Sequence, residues 1–121
     1  MDIAILAAQH IKAILDLVKQ EGAPDKIVLA TYNREEYAEL HRNPNDMSYE
    51  DHQELVKAIS EALVDFNISD RVVFQEIDSV EYYRWLAKRG LTDSDASRAT
   101  FASAKYDNIQ DKLRMPKRDG K

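Results

Sequence analysis

Apolar residues recur at three- and four-residue steps near the start of the chain. Ile3, Ala7, Ile11, Ile14 and Val18 share one face, which predicts an amphipathic helix over residues 2–21. Gly22 and Pro24 supply the usual stop, glycine after the last turn and proline just beyond. Lys26–Tyr32 (KIVLATY) is β-branched and almost continuously apolar, the pattern of a strand covered on both faces. A short helix is predicted from Arg34 to His41. Arg42–Met47 then reads as a loop, because Asn43, Pro44, Asn45 and Asp46 carry turn chemistry.

The same alternation resumes downstream. His52, Leu55, Val56, Ile59, Ala62, Leu63 and Phe66 keep helical spacing. Ser48 is placed to cap that helix, with Asp51 three residues on. Asn67, Ser69 and Asp70 break it. Arg71–Ile77 (RVVFQEI) reads as a second strand and Ser79–Lys88 as a helix. Gly90 closes that helix, since glycine tolerates left-handed backbone at a helix end. Thr92 and Asp95 are expected to cap a last helix, placed over residues 92–113. A basic tail follows over residues 114–121, with Pro116 and Gly120 favouring a frayed end.

An offset of 45 residues superposes the elements. Over residues 11–41 against 56–86, seven of 31 positions are identical: Lys12, Ala13, Ile14, Asp25, Val28, Glu36 and Tyr37. Average composition gives roughly two by chance. The order of elements matches as well. The expected architecture is therefore one domain, residues 1–121, of predominantly helical α+β class. It is a duplicated helix–strand–helix unit, residues 2–45 and 47–90, with two short central strands and a C-terminal helix. That last helix resembles the start of a third copy. A pseudo-twofold relation between copies predicts antiparallel strands. An open edge invites pairing, so a homodimer would extend two strands to four.

Composition narrows the chemistry. The 121 residues contain no cysteine, which excludes disulfides, zinc–thiolate sites, iron–sulfur clusters and cysteine nucleophiles. No apolar run approaches the ~20 residues of a membrane span, and MDIAILAAQHIK lacks the cationic start of a signal peptide. A cytoplasmic protein with no membrane association and no cofactor is expected.

Individual motifs point to structure before chemistry. The repeated Asn33–Tyr37 and Asp78–Tyr82 segments share the form [Asn/Asp]-x-x-Glu-Tyr. If Asn33, Glu36, Asp78 and Glu81 met, they would offer acid–base groups or a hard-cation site. Helix capping accounts for the same residue types and spacing. His10, His41 and His52 form no metal-ligand spacing. His52 lies on an apolar stripe and reads as packed, hydrogen-bonded and neutral, although His41, Asp46 and His52 surround one loop. Asp93–Ser97 begins like a calcium loop, but Arg98 stands where glycine is needed and Ala104 where glutamate is needed, so no metal is expected. The scattered glycines 22, 90 and 120 build no phosphate loop, and no nucleophile elbow is legible. In Tyr82–Leu86, helical spacing turns Tyr82, Trp85 and Leu86 to the core. Tyr83 with Arg84 is left as a candidate contact pair, types enriched at binding hot spots.

Charge is distributed unevenly. Residues 33–81 hold thirteen acids and four bases, net −9, and residues 82–121 hold five acids and ten bases, net +5, within an overall −5. Such asymmetry predicts electrostatic partnering. The leading expectation is a non-catalytic adaptor or inhibitor, in the manner of accessory proteins of phages and plasmids. Glu35, Glu39, Asp46, Glu50, Asp51 and Glu54, with Tyr83 and Arg84, would meet a partner whose basic groove handles nucleic acid. The alternative is direct nucleic-acid binding through Lys105, Lys112, Arg114, Lys117 and Arg118. A second alternative is a small carboxylate enzyme or ligand binder using Glu36 and Glu81.

Overall fold

The computed structural model describes residues 2–42 and 46–114. In chain order the elements are α1 (Ile3–Val18), β1 (Ile27–Thr31), α2 (Arg34–Leu40) and α3 (Tyr49–Asp65), then a single 3-10 turn (Ser69–Arg71), β2 (Val72–Glu76), α4 (Ser79–Arg89) and α5 (Asp95–Arg114). Of the described residues 67% are helical, and among them the strands form one two-stranded parallel sheet, a predominantly helical α+β fold. No helix among the described residues is long and apolar enough to cross a membrane. The chain divides into two compact units: one holds the chain through Ile27 with Asn33–Val73, the other Val28–Tyr32 with everything from Phe74 on.

The first unit is built on α1 against α3. Ala7, Ile11 and Ile14 of α1 are buried, as are Leu55, Ile59 and Leu63 of α3. Both triplets follow helical spacing, so each helix turns one apolar stripe inward, while Ile5 and Leu17 of α1 and Val64 of α3 stay exposed. Asp2 caps α1, its Oδ1 accepting from the amides of Ala4 and Ile5 at 3.0 and 3.3 Å. Ser48 caps α3 through the Asp51 amide at 3.1 Å. Past the two helix ends, Gly22 (φ 80°) and Asn67 (φ 62°) adopt left-handed backbone, 45 positions apart. Arg71 departs from the expected strand. It closes the 3-10 turn, and its guanidinium donates to the carbonyls of Asp25 and Pro24, both at 2.9 Å. Lys26 Nζ in turn donates to the Asp70 carbonyl. The exchange is reciprocal between positions 45 apart, Lys26 with Arg71 and Asp25 with Asp70.

The strands run parallel, which corrects the antiparallel expectation. From Thr31 the chain passes through α2 and α3 before β2 begins. A helical crossover returns the chain to the starting end of the sheet, whereas antiparallel neighbours are joined by short turns. A rotation axis along the strands, rather than across them, leaves paired strands parallel. Burial is continuous rather than alternating: Ile27, Val28 and Val72 are buried and Leu29, Ala30, Val73 and Phe74 half-buried, as for parallel strands covered on both faces.

In the second unit α4 packs on α5. Tyr82 and Ala102 are fully buried, with Leu86 and Phe101 nearly so. Asp78 caps α4 through the Glu81 amide at 3.0 Å. At the other end Gly90 (φ 63°) is left-handed, and the bonds Gly90 N–H to Ala87 and Leu91 N–H to Leu86 complete a Schellman ending. The cap of α5 is Ser94, whose Oγ accepts from the Ser97 amide at 3.0 Å, not Thr92 or Asp95. The helix begins at Asp95 because the residue before it supplies the cap. Pro116, Lys117, Arg118 and Gly120 of the expected tail lie outside the described residues, as do Asn43, Pro44 and Asn45.

Each unit contains a tyrosine whose hydroxyl reaches the residue before a serine cap. Tyr37 donates to the Met47 carbonyl and Tyr82 to Asp93 Oδ1 at 2.7 Å. A bond to a charged acceptor is worth roughly twice a neutral one. Tyr82→Phe is therefore expected to lower unfolding free energy by about 2 kcal/mol and Tyr37→Phe by about 1 kcal/mol. Urea unfolding of the two variants checks this order.

Candidate protein interface

Six candidate acids lie in the first unit, on two helices that pack together and on the segment between them. Glu35 and Glu39 stand four residues apart on α2 and are exposed. Glu50 and Glu54 stand four apart on α3 and are exposed too. That spacing places each pair on one helix face. Asp46 is exposed and Asp51 half-buried. Part of this charge serves the helices, since Glu35 and Glu36 occupy the first turn of α2, and Glu50 and Asp51 that of α3. Carboxylates there complement the helix dipole.

Arginines temper the face. Arg34 Nη1 donates to Glu50 Oε2 at 2.8 Å, both side chains remaining about two-thirds exposed. The same guanidinium lies 4.8 Å from the Tyr49 ring centroid. The Arg34 hydrogen bond holds the Glu50 carboxyl below its ordinary pKa. Arg42 pairs with Glu39 at 2.5 Å. Exposed pairs of this kind contribute little to stability, so they remain exchangeable against a partner's cations.

Behind the acids sits an aromatic cluster. The Tyr37 ring stacks on His41 with centroids 3.8 Å apart and lies 5.1 Å from His52 and 5.5 Å from Tyr49. His41 Nδ1 is 3.1 Å from the Tyr37 carbonyl. Burial, with the nearby His41, pushes the His52 pKa down to about 4, so His52 is neutral at pH 7. The two histidines thus meet across a tyrosine. Among the described residues no three His, Cys, Asp or Glu side chains are grouped to hold a metal ion.

Tyr83 and Arg84 belong to the second unit, on α4. Both are exposed, Tyr83 by 46%, while Tyr82 and Leu86 are buried and Trp85 half-buried. Of the nucleic-acid candidates, Lys105 is engaged by Glu81 at 2.8 Å and is 27% exposed. Lys112 is exposed. Lys117, Arg118 and the Arg114 side chain lie outside what the structure describes. The repeated Asn33 and Asp78 accept the amides of Glu36 and Glu81 at 2.9 and 3.0 Å. Those side-chain oxygens are occupied as helix caps.

One constellation escaped the sequence reading. Arg98 is 8% exposed and grips Asp93 with two bonds, Nε to Oδ1 at 2.9 Å and Nη2 to Oδ2 at 2.8 Å. Its Nη1 lies 3.5 Å from the Tyr32 hydroxyl. Burial opposes the Arg98 charge, but the bonds to Asp93 and Tyr32 outweigh it and raise the pKa. Burial and the Asp93 bond also raise Tyr82. The available signal was periodic: Arg98 shares helical spacing with Phe101 and Ala102, the buried face of α5.

No protein-family model, curated protein or solved structure matches the chain.

Because Asn33 and Asp78 cap α2 and α4, Asn33→Ala and Asp78→Ala should each lose about 1 kcal/mol of stability. Glu36→Gln with Glu81→Gln, a half-buried carboxylate and an exposed one paired with Lys105, loses about 1 kcal/mol or less; thermal unfolding of all three compares them. The lowered His52 pKa stabilises the fold fully above its ordinary value of 6.5, and the contribution fades as pH falls towards about 4. A His52→Phe variant should therefore lose less stability than the parent between pH 7 and pH 4, measured by urea unfolding at each pH.

Proposed function

We propose that this protein is a non-catalytic interaction module, an adaptor or inhibitor, that meets a basic nucleic-acid-handling partner through the acidic faces of α2 and α3. The observation that carries this reading is the pair of exposed carboxylate rows, Glu35 with Glu39 and Glu50 with Glu54, on helices that pack together in one unit. Rows spaced by one helical turn match cations spaced along a groove. Complementary charge steers encounter and selects the partner. Arg34 and Arg42 already occupy two of the carboxylates, in contacts that a partner's arginines would replace. Tyr83 and Arg84 supply a second contact on α4, where an exposed tyrosine offers contact area at low entropy cost.

The test is affinity capture from native lysate at low salt with the parent and with Glu35→Lys/Glu39→Lys/Glu54→Lys. A basic protein retained by the parent should bind the reversed chain at least about tenfold more weakly. Its affinity for the parent should fall as salt rises. Tyr83→Ala should weaken the same complex by about 1 kcal/mol or more. Equal retention by the charge-reversed chain, or turnover of a substrate by the purified protein with no partner recovered, overturns the reading.

A further inference from the structure

Within the first unit, α1 and α3 leave an open groove of about 610 Å³ along one flank of the pair. Ala8, Ile11 and Leu15 line it from α1, Ala58 and Ala62 from α3, and Phe66 from the position just past the end of α3. Alanines make a hollow that their own short side chains leave unfilled. Beside it the Phe66 ring is 54% exposed. One surface therefore carries both a protruding apolar group and a recess of apolar walls, as self-complementary contact requires.

The rim charges indicate what covers it. Lys12, Asp16 and Lys19 all border the groove from α1. Lys12 and Asp16 pair at 3.0 Å and remain 78% and 57% exposed. A uniformly acidic or uniformly basic partner meets a like charge somewhere along this rim. A second α1 running antiparallel meets none at these two positions, because Lys12 of each copy faces Asp16 of the other. Exposed pairs of this kind set register more than affinity, and the apolar groove supplies the affinity.

We propose that the α1–α3 groove is the interface of a homodimer, in which two copies meet about a two-fold axis with antiparallel α1 helices. The Phe66 ring of each copy seats on the alanine floor of the other. Dimerisation would present the acidic α2–α3 face twice and so raise avidity for a repetitive partner. The groove itself does not depend on what the acidic face binds.

Sedimentation equilibrium of the full chain, up to about 0.5 mM, reads the association directly. A reversible dimer is expected. Phe66→Ser and Ala8→Arg each change an exposed position, and each should raise the dimer dissociation constant at least about tenfold with unchanged helical circular dichroism. Lys12→Asp and Asp16→Lys alone should each weaken the dimer, and the two together should restore it. A monomer at every concentration overturns the proposal. So does a dimer indifferent to Phe66→Ser and Ala8→Arg, or a double charge exchange no better than the single reversals.

Discussion

A buried phenol hydroxyl must find an acceptor, and this requirement sets where the long helices begin. Tyr37 and Tyr82 sit on the fourth residues of α2 and α4, and both are buried. Each hydroxyl reaches past its own helix to the residue before a serine, Met47 before Ser48 and Asp93 before Ser94. That bond holds the residue before the serine, and the serine then caps α3 or α5. Each helix thus starts at a position dictated by the preceding one. In the second unit the acceptor is the exposed carboxylate of Asp93, and the buried group is Arg98, whose charge needs an anion beside it. Asp93 meets that need with two bonds.

The tyrosine bonds also account for the division of labour over each surface. With the aromatic groups turned inward, the acids of α2 and α3 are left facing water. Many of them sit in first turns, where the helix dipole favours them and where their removal costs the fold little. Charge in such positions is available for recognition because the core does not depend on it. Arg98 shows the opposite arrangement, its charge buried and paired with Asp93.

Much of the fold was legible in the residues. The helices α1 and α3 announced themselves by three- and four-residue spacing, and the caps Ser48, Asn33 and Asp78 by residue type. Tyr82 and Leu86 were placed inside and Tyr83 outside by the same periodicity, because side chains on a regular helix repeat by geometry alone. The acidic segment of the candidate site was legible as composition. The pairing of Arg34 with Glu50 and the gathering of His41, Tyr49 and His52 around Tyr37 were not. They depend on how α2 turns back onto α3, a packing angle that local spacing does not encode. Arg71 was drawn into a strand by its apolar neighbours, yet its guanidinium serves the carbonyls of a distant turn.

By itself, the sequence determined the period of each helix, the continuous apolar character of both strands, the caps of α2, α3 and α4 and the segregation of charge. These follow from local stereochemistry and solvation, which act within a few residues. Only the tertiary structure decided that the strands run parallel, that Ser94 rather than Thr92 starts α5, and that Arg98 is buried. Each of those depends on partners far along the chain, or on which nearby group is drawn into the core. Strand direction follows from the helical crossover, and the burial of a charge from whether an opposite charge arrives beside it.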